Sequence, residues 1–442
     1  MSPIVLACLL AQTAAAPAKP AAAPDPAPVT EGDVTEAHVG GMTVLVKRRP
    51  TAELVAVQLH VLGGARNWTA ADAGVEALAF RVAATGGAGK LDKEALGRRL
   101  ASLGATLQGS TGRDDSALVA KAPAAAFEAV FGLVADAFLA PALPEAEVKL
   151  AREQALLALQ QERENPDGAL GLLTERVLLA GTPYANRPQG TPETVAKLGR
   201  DALLAQLAKL REGARLVLVV VGPVAPERVI ALARQAYGGL PRGSFAPAPF
   251  PRPSFSAPSL SAELRKLPTN YIEVMFAAPG PGAPDYPAAR IASFVLNQRL
   301  FEEVRTKRNL SYAPGARYDV AAGAAFGGFY VTAVDPAAAL PVMVGELERL
   351  ATQPVPAAEL EGAKSTYRTG FLMAQETTDA QAASLARGLV QAGDWRYFGR
   401  LLEAAAKVSA ADVQGYAGQY GRNLQAVVLG DPAKVDPQLT AR

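Results

Sequence analysis

The sequence predicts an α+β fold built twice from one design: two homologous halves, each a mostly antiparallel sheet with helices packed on one face. Three observations carry this expectation. Strand-like and helix-like runs are mixed in both halves without regular βαβ alternation. A Pro-rich stretch at 241–258 (PRGSFAPAPFPRPSFSAP) interrupts the chain almost at its midpoint. The two sides of that stretch also share features at a nearly constant offset. Residues 144–151 (PEAEVKLA) and 356–363 (PAAELEGA) each open a helix with Pro-x-x-Glu-[Val/Leu]-x-x-Ala, 212 residues apart. The strand-like SALVAKAP (116–123) and FYVTAVDP (329–336), 213 apart, each run into an Ala-rich helix. Two matches at nearly one offset favour a duplication over chance.

In chain order, residues 4–10 (IVLACLL) form a short apolar run followed by Ala14, Ala15 and Ala16. This resembles the core and cleavage region of an export signal and is too short to span a membrane. No lysine or arginine precedes the run. Val5-Leu6-Ala7-Cys8 loosely resembles a lipoprotein cleavage box, and a plain Ala/Pro tail is the alternative reading of the whole segment. Residues 17–28 read as an extended, Pro-stiffened linker. The expectation is an exported, periplasmic protein, with lipoprotein and cytoplasmic forms left open. The domains then run 1–28 (signal-like segment and linker), 29–240 (first half), 241–260 (Pro-rich linker) and 261–442 (second half). Strands are expected at 43–47, 54–62, 117–120, 216–221, 271–277 and 327–334 from alternating or apolar runs. Amphipathic periodicity predicts helices at 74–84, 124–138, 145–164, 192–210, 226–237 and 288–308. No segment after the leader reads as a transmembrane helix.

Composition excludes much chemistry. The 442 residues are 50% hydrophobic and 19% charged, with 44 basic and 42 acidic residues for a net charge of +2. That balance gives no electrostatic reason to expect nucleic acid as a partner, and rules out disorder for most of the chain. The chain has two histidines, His38 and His60, and one cysteine, Cys8. A zinc site would have to be built around those two histidines or from carboxylates, and neither a Cys cluster nor a disulfide is possible. Gly86-Gly87-Ala88-Gly89-Lys90 fails as a phosphate loop, Gly280-Pro281-Gly282 fails as a dinucleotide turn, and no Gly-x-Ser-x-Gly elbow exists. Asp114-Asp115 and Glu302-Glu303 read as solvated neighbours.

Seven segments in order resemble the pitrilysin-like zinc peptidases, family M16, and their processing-peptidase relatives. They are VQLHVLGGARN (57–67), GVEALAFRVAATGG (74–87), RE (152–153) with ENPD (164–167), GTPY (181–184) with GTPETV (190–195), LVLVVVGPV (216–224), RLFEEVR (299–305) and NLSY (309–312). In active members the 74–87 helix carries His-x-x-Glu-His. The histidines at i and i+4 share a helix face and hold zinc, and the glutamate is the general base. Matched through Gly74 and Gly86, those positions are Ala77, Phe80 and Arg81 here. The third ligand, a glutamate, falls at Ala158. None of the four suits zinc: alanine and phenylalanine lack donor atoms, and arginine stays protonated. His38 and His60 fall outside the motif and are expected as a polar residue before the first strand and a strand residue.

The resemblance implies something kept in the second half. In bacterial members that work as pairs of different chains, one chain supplies zinc and the other an arginine and a tyrosine seven residues apart. Arg305 and Tyr312 have that spacing, suited to holding a peptide carbonyl oxygen as it gains charge. Their alternative reading is a solvent-facing arginine and a tyrosine packed in the core. Arg299 and Arg308 read as surface charge. The segment 107–113 (LQGSTGR) matches an edge strand to which substrate adds in active members, or is a plain polar strand or turn. The implied function is a non-catalytic, substrate-binding subunit of a heteromeric peptidase that acts on unfolded peptides. It binds no cofactor itself, and zinc sits in a partner chain of the same fold. The alternative is a scaffold or binding subunit of a larger assembly.

Overall fold

The computed structural model describes residues 25–247, 252–321 and 323–436. The leader-like run, Cys8 and most of the first linker lie outside the described residues. Among the described residues no helix is long and apolar enough to cross a membrane.

The first half begins with strands β1 (Val29–Glu31), β2 (Val34–Val39), β3 (Met42–Arg48) and β4 (Leu54–Leu62), then helix α1 (Val75–Thr85). A small hairpin, β5 (Gly87–Ala88) and β6 (Leu91–Asp92), leads to α2 (Lys93–Ser102), β7 (Thr106–Thr111), β8 (Asp115–Pro123) and α3 (Phe127–Leu139). Then come α4 (Glu145–Glu164), α5 (Pro166–Leu178), α6 (Pro192–Val195), α7 (Arg200–Leu210), β9 (Leu216–Gly222) and α8 (Pro226–Tyr237). The second half holds β10 (Ser259–Leu264), β11 (Asn270–Ala277), α9 (Tyr286–Leu300), β12 (Gly315–Val320), β13 (Ala325–Ala333) and α10 (Pro336–Thr352). It closes with α11 (Ala357–Met373), α12 (Thr378–Ala392), α13 (Tyr397–Ala406), α14 (Ala410–Tyr420) and β14 (Gln425–Gly430).

The strand orders show the duplication directly. The first sheet runs β1-β2-β3-β9-β4-β8-β7 and the second β10-β14-β11-β13-β12. The last five strands of the first match the second position by position. Each sheet has one parallel pair at the same place, β3 with β9 and β10 with β14, and is otherwise antiparallel. Each half's own helices cover one face, α1, α3, α7 and α8 in the first and α9, α10, α11 and α14 in the second. The central strands β9 and β14 are buried along their whole length, so both sheets need cover on the second face as well.

That cover is exchanged. Helix α12 of the second half lays Ala382, Leu385 and Ala386 on Leu45, Ala56, Val217 and Val219 of the first sheet. Helix α5 of the first half lays Ala169, Leu170 and Leu173 on Val427 and Leu429 of the second. The two helices begin 212 residues apart, the offset seen in the sequence. Local chemistry starts both: the Asn165 side chain accepts from the Gly168 N–H at 3.0 Å, ahead of Pro166, and the Thr377 hydroxyl accepts from the Ala380 N–H at 3.1 Å.

Three expectations need correction. The helix at 192–210 is broken into α6 and α7, because the Leu198 carbonyl turns out to accept from Arg152 Nη1 at 3.0 Å and Gly199 is extended. The helix at 288–308 begins at Tyr286 and becomes π-helical over Phe301–Thr306. His38 lies inside β2, not before the first strand: its neighbours Ala37 and Val39 are buried, and its ring sits 3.7 Å from Glu36 on the solvent side.

Leu170 is 1% exposed. Leu170→Ala is therefore expected to lower the unfolding free energy by about 2–5 kcal/mol in urea denaturation. A loss below about 1 kcal/mol would contradict the role of α5 as the cover of the second sheet.

Candidate functional site

Helices α1 and α4 enclose a cavity of about 300 Å³ lined by Ala77, Arg81 and Ala158 together with Leu78, Ala155 and Leu159. Three of the four motif positions thus converge, as residues i and i+4 of one helix facing a second helix. The fourth does not join them. Phe80 is fully buried in the first core, its ring 6.4 Å from that of Phe138. A carboxylate in its place would be a charge buried in hydrocarbon. Arg81 reaches across to α4 and donates from Nη2 to Gln154 Oε1 at 2.5 Å. The one carboxylate lining the cavity, Glu162, is held by Arg187 Nη2 at 2.7 Å. Alkyl walls, a guanidinium and a paired carboxylate do not fit a zinc ion, which needs imidazole, thiolate or free carboxylate donors.

Helix α1 sits directly against β7, the last strand of the first sheet, which is bonded only to β8. Gly109 permits the approach, since a Cβ there would stand 2.1 Å from the Phe80 carbonyl oxygen. Segment 107–113 is thus edge strand up to Thr111 and turn beyond it.

Beside the motif lies a residue that sequence reasoning missed. Glu76 is fully buried and accepts from Ser116 Oγ at 2.5 Å, Trp68 Nε1 at 2.8 Å and Gln206 Nε2 at 3.2 Å. It ties α1 to β8 and α7. Burial raises its carboxyl above the usual carboxylate range, against the downward pull of those hydrogen bonds. An acid inside the otherwise apolar run Val-Glu-Ala-Leu-Ala-Phe was the available signal.

In the second half, the π-helical stretch ends at Thr306 and the chain turns through Asn309, whose φ of 51° is left-handed, a conformation asparagine tolerates better than most residues. Its N–H bonds the Arg305 carbonyl at 3.1 Å, and the chain then doubles back. This reversal brings Tyr312 over Arg305, with the guanidinium carbon 4.1 Å from the Tyr312 ring centroid and 4.8 Å from that of Phe301. Tyr312 is 79% exposed, so it is no core tyrosine. Stacking between two rings leaves the N–H edge of the guanidinium facing outward, and Arg305 has no ion pair among the described residues. The expectation for Arg299 is overturned: it is buried and makes a bidentate pair with Glu359 at 2.6 and 3.0 Å. Arg308 is exposed and pairs with Glu303.

The adjacent acids are not simply solvated either. Asp114 is buried and accepts from the Tyr184 hydroxyl at 2.7 Å, with Arg66 Nε at 3.1 Å. Tyr184 in turn accepts from the Gly323 N–H of the second half at 2.7 Å. Burial, with Asp114 beside it, pushes the Tyr184 phenol well above its usual range. Asp115 meets His60 Nδ1 at 2.8 Å, and the other ring nitrogen lies 3.1 Å from Gln58 Oε1. Gln58 then donates to Asp379 of the second half at 2.8 Å. His60, a strand residue, is thus a link in a polar seam between the halves. Glu303 is held by Lys307 at 2.8 Å as well as by Arg308, while Glu302 stays exposed.

Comparison with known proteins gives matches over both halves of the chain. Residues 43–187 match the sequence model described as Insulinase (Peptidase family M16), and 197–367 the one described as Peptidase M16 inactive domain. An uncharacterized zinc protease of Mycobacterium leprae (strain TN) is 25% identical over 407 residues, covering 88% of this chain and 90% of its own. A non-peptidase homolog of Helicobacter pylori (strain ATCC 700392 / 26695) is 28% identical over 188 residues, 41% of this chain and 43% of its own. Subunit 1 of the mitochondrial cytochrome b-c1 complex of Bos taurus is 25% identical over 225 residues, 50% of this chain and 46% of its own. A solved structure described as a protease from Helicobacter pylori superposes with a TM-score of 0.82 at 16% identity, covering 90% of this chain and 99% of that one.

The buried acids give a pH signature. Glu76 and Glu273 are both raised by burial. Above the ordinary glutamate value of 4.5 the folded chain holds protons that the unfolded chain has released, so stability is expected to fall as pH rises through that window. In urea denaturation across a pH series, Glu76→Gln is expected to flatten part of the fall. An unchanged slope would remove Glu76 as one of its sources.

Proposed function

The chain belongs to peptidase family M16, and from that premise we propose that it is a non-catalytic, substrate-binding subunit of a heteromeric zinc peptidase. The carrying observation is one contrast. The α1–α4 cavity offers a metal no imidazole, no thiolate and no unpaired carboxylate, while Arg305 and Tyr312 form an exposed stack with a free guanidinium edge. A partner chain of the same fold supplies zinc and the general base through His-x-x-Glu-His. This chain contributes the opposite wall of the chamber. Arg305 donates to the carbonyl oxygen of the scissile peptide as it gains negative charge, and the Tyr312 hydroxyl adds a second donor. Its substrates are unfolded peptides, and the leader-like run at 4–10 supports export to the periplasm.

A second reading, scaffold subunit of a larger assembly, draws on the likeness to a cytochrome b-c1 complex subunit. In that case no partner peptidase exists and the Arg305–Tyr312 stack has no substrate. Affinity capture of the chain from native extract separates the two readings: a near-stoichiometric His-x-x-Glu-His chain supports the first, and its absence supports the second.

In the reconstituted complex, Arg305→Ala and Tyr312→Phe are each expected to lower kcat/KM for an unfolded peptide by about 100-fold, with assembly unchanged. Cleavage at the unmodified rate would sink the assisting role of the pair.

A further inference from the structure

The α1–α4 cavity of the first half has a counterpart in the second. Ala155, Ala158, Leu159 and Glu162 of α4 correspond, at the offset of 212, to Tyr367, Gly370 and Phe371 of α11 and Ala374 at its C-cap. These four residues line a cleft of about 540 Å³ between α9 and α11, larger than the cavity of the first half. At an offset of 213, Ala77 and Arg81 correspond to Arg290 and Phe294, which line the same cleft.

The chemistry of this cleft is distinctive. Its walls carry six aromatic rings and two guanidiniums, those of Arg290 and Arg387, and no carboxylate. Arg290 lies with its guanidinium carbon 5.2 Å from the centroid of the Tyr318 ring. Arg387, on the exchanged helix α12, lies 5.5 Å from that of Phe398. Neither arginine has an ion pair among the described residues. Two cations held by ring faces around one cleft leave their N–H edges for an anion. The aromatic walls select an apolar group attached to that anion, and the volume suits one or two amino-acid residues.

We propose that this cleft binds the C-terminal end of a peptide, its carboxylate between Arg290 and Arg387 and its last, large apolar side chain against Phe294, Phe371 and Tyr367. The choice of a peptide rests on the reading of the chain as a substrate-binding subunit. The site itself belongs to this chain alone and needs no partner, so it stands or falls independently of the assisting role of Arg305 and Tyr312.

The test is calorimetric titration of the purified chain with N-acetyl-Phe-Phe as the free acid and as its C-terminal amide, with inorganic phosphate as a third probe. The acid is expected to bind at least about tenfold more tightly than the amide, since the amide forfeits charge-assisted bonds to two guanidiniums. Arg290→Gln and Arg387→Gln are each expected to weaken the acid by about tenfold and to shrink the acid–amide gap. Arg387 is exposed, so its variant keeps the test open even where Arg290→Gln disturbs packing. Equal binding of acid and amide, no binding of either, phosphate binding without peptide binding, or an Arg387→Gln protein that binds the acid unchanged would each overturn the proposal.

Discussion

Each sheet has two apolar faces and only one set of helices of its own. Burying a single Leu or Val contributes about 1.5–3 kcal/mol, so leaving the second face of β9 or β14 in water would cost much of a domain's net stability. The exchange of α5 and α12 meets that demand on both sides at once. It also explains where polar groups collect. The seam from Asp115 through His60 and Gln58 to Asp379 lies where an exchanged helix meets the foreign sheet, and buried groups there survive because each finds a partner.

The duplication was legible because its carriers are local. Pro-x-x-Glu helix starts and strands that run into Ala-rich helices survive in sequence, and the 54–62, 145–164 and 226–237 elements have the expected bounds. What stayed hidden was tertiary. Strand β12 (GARYDV) is short and sits at a sheet edge, and its alternation of Ala316, Tyr318 and Val320 with Arg317 and Asp319 is too brief to stand out. Nothing in the composition of α5 or α12 tells which sheet each will cover. Asp114, Asp115 and Arg299 looked solvated because adjacent charges usually are, and only the fold brings Tyr184, His60 and Glu359 to them.

The site divides in the same way. Helical spacing set Ala77 and Arg81 on one face and the family resemblance pointed to Ala158 opposite them, but neither showed that Phe80 had joined the core. The resemblance, by its seven-residue spacing, also paired Arg305 with Tyr312. The exposure of that pair depends on a left-handed asparagine three residues before the tyrosine, a feature of backbone geometry that no side-chain pattern announces.

The exchanged helices bear on how such a chain arises. A single half in solution would expose one apolar sheet face, and two copies of that half would hide both by trading helices, closing a twofold dimer. In such a dimer any substitution appears at both sites together. Joining the copies into one chain keeps the packing and ends that obligation. One cleft is then free to become apolar and compact while its twin gathers rings and guanidiniums, so asymmetry of function follows from a linker and not from any change in the fold.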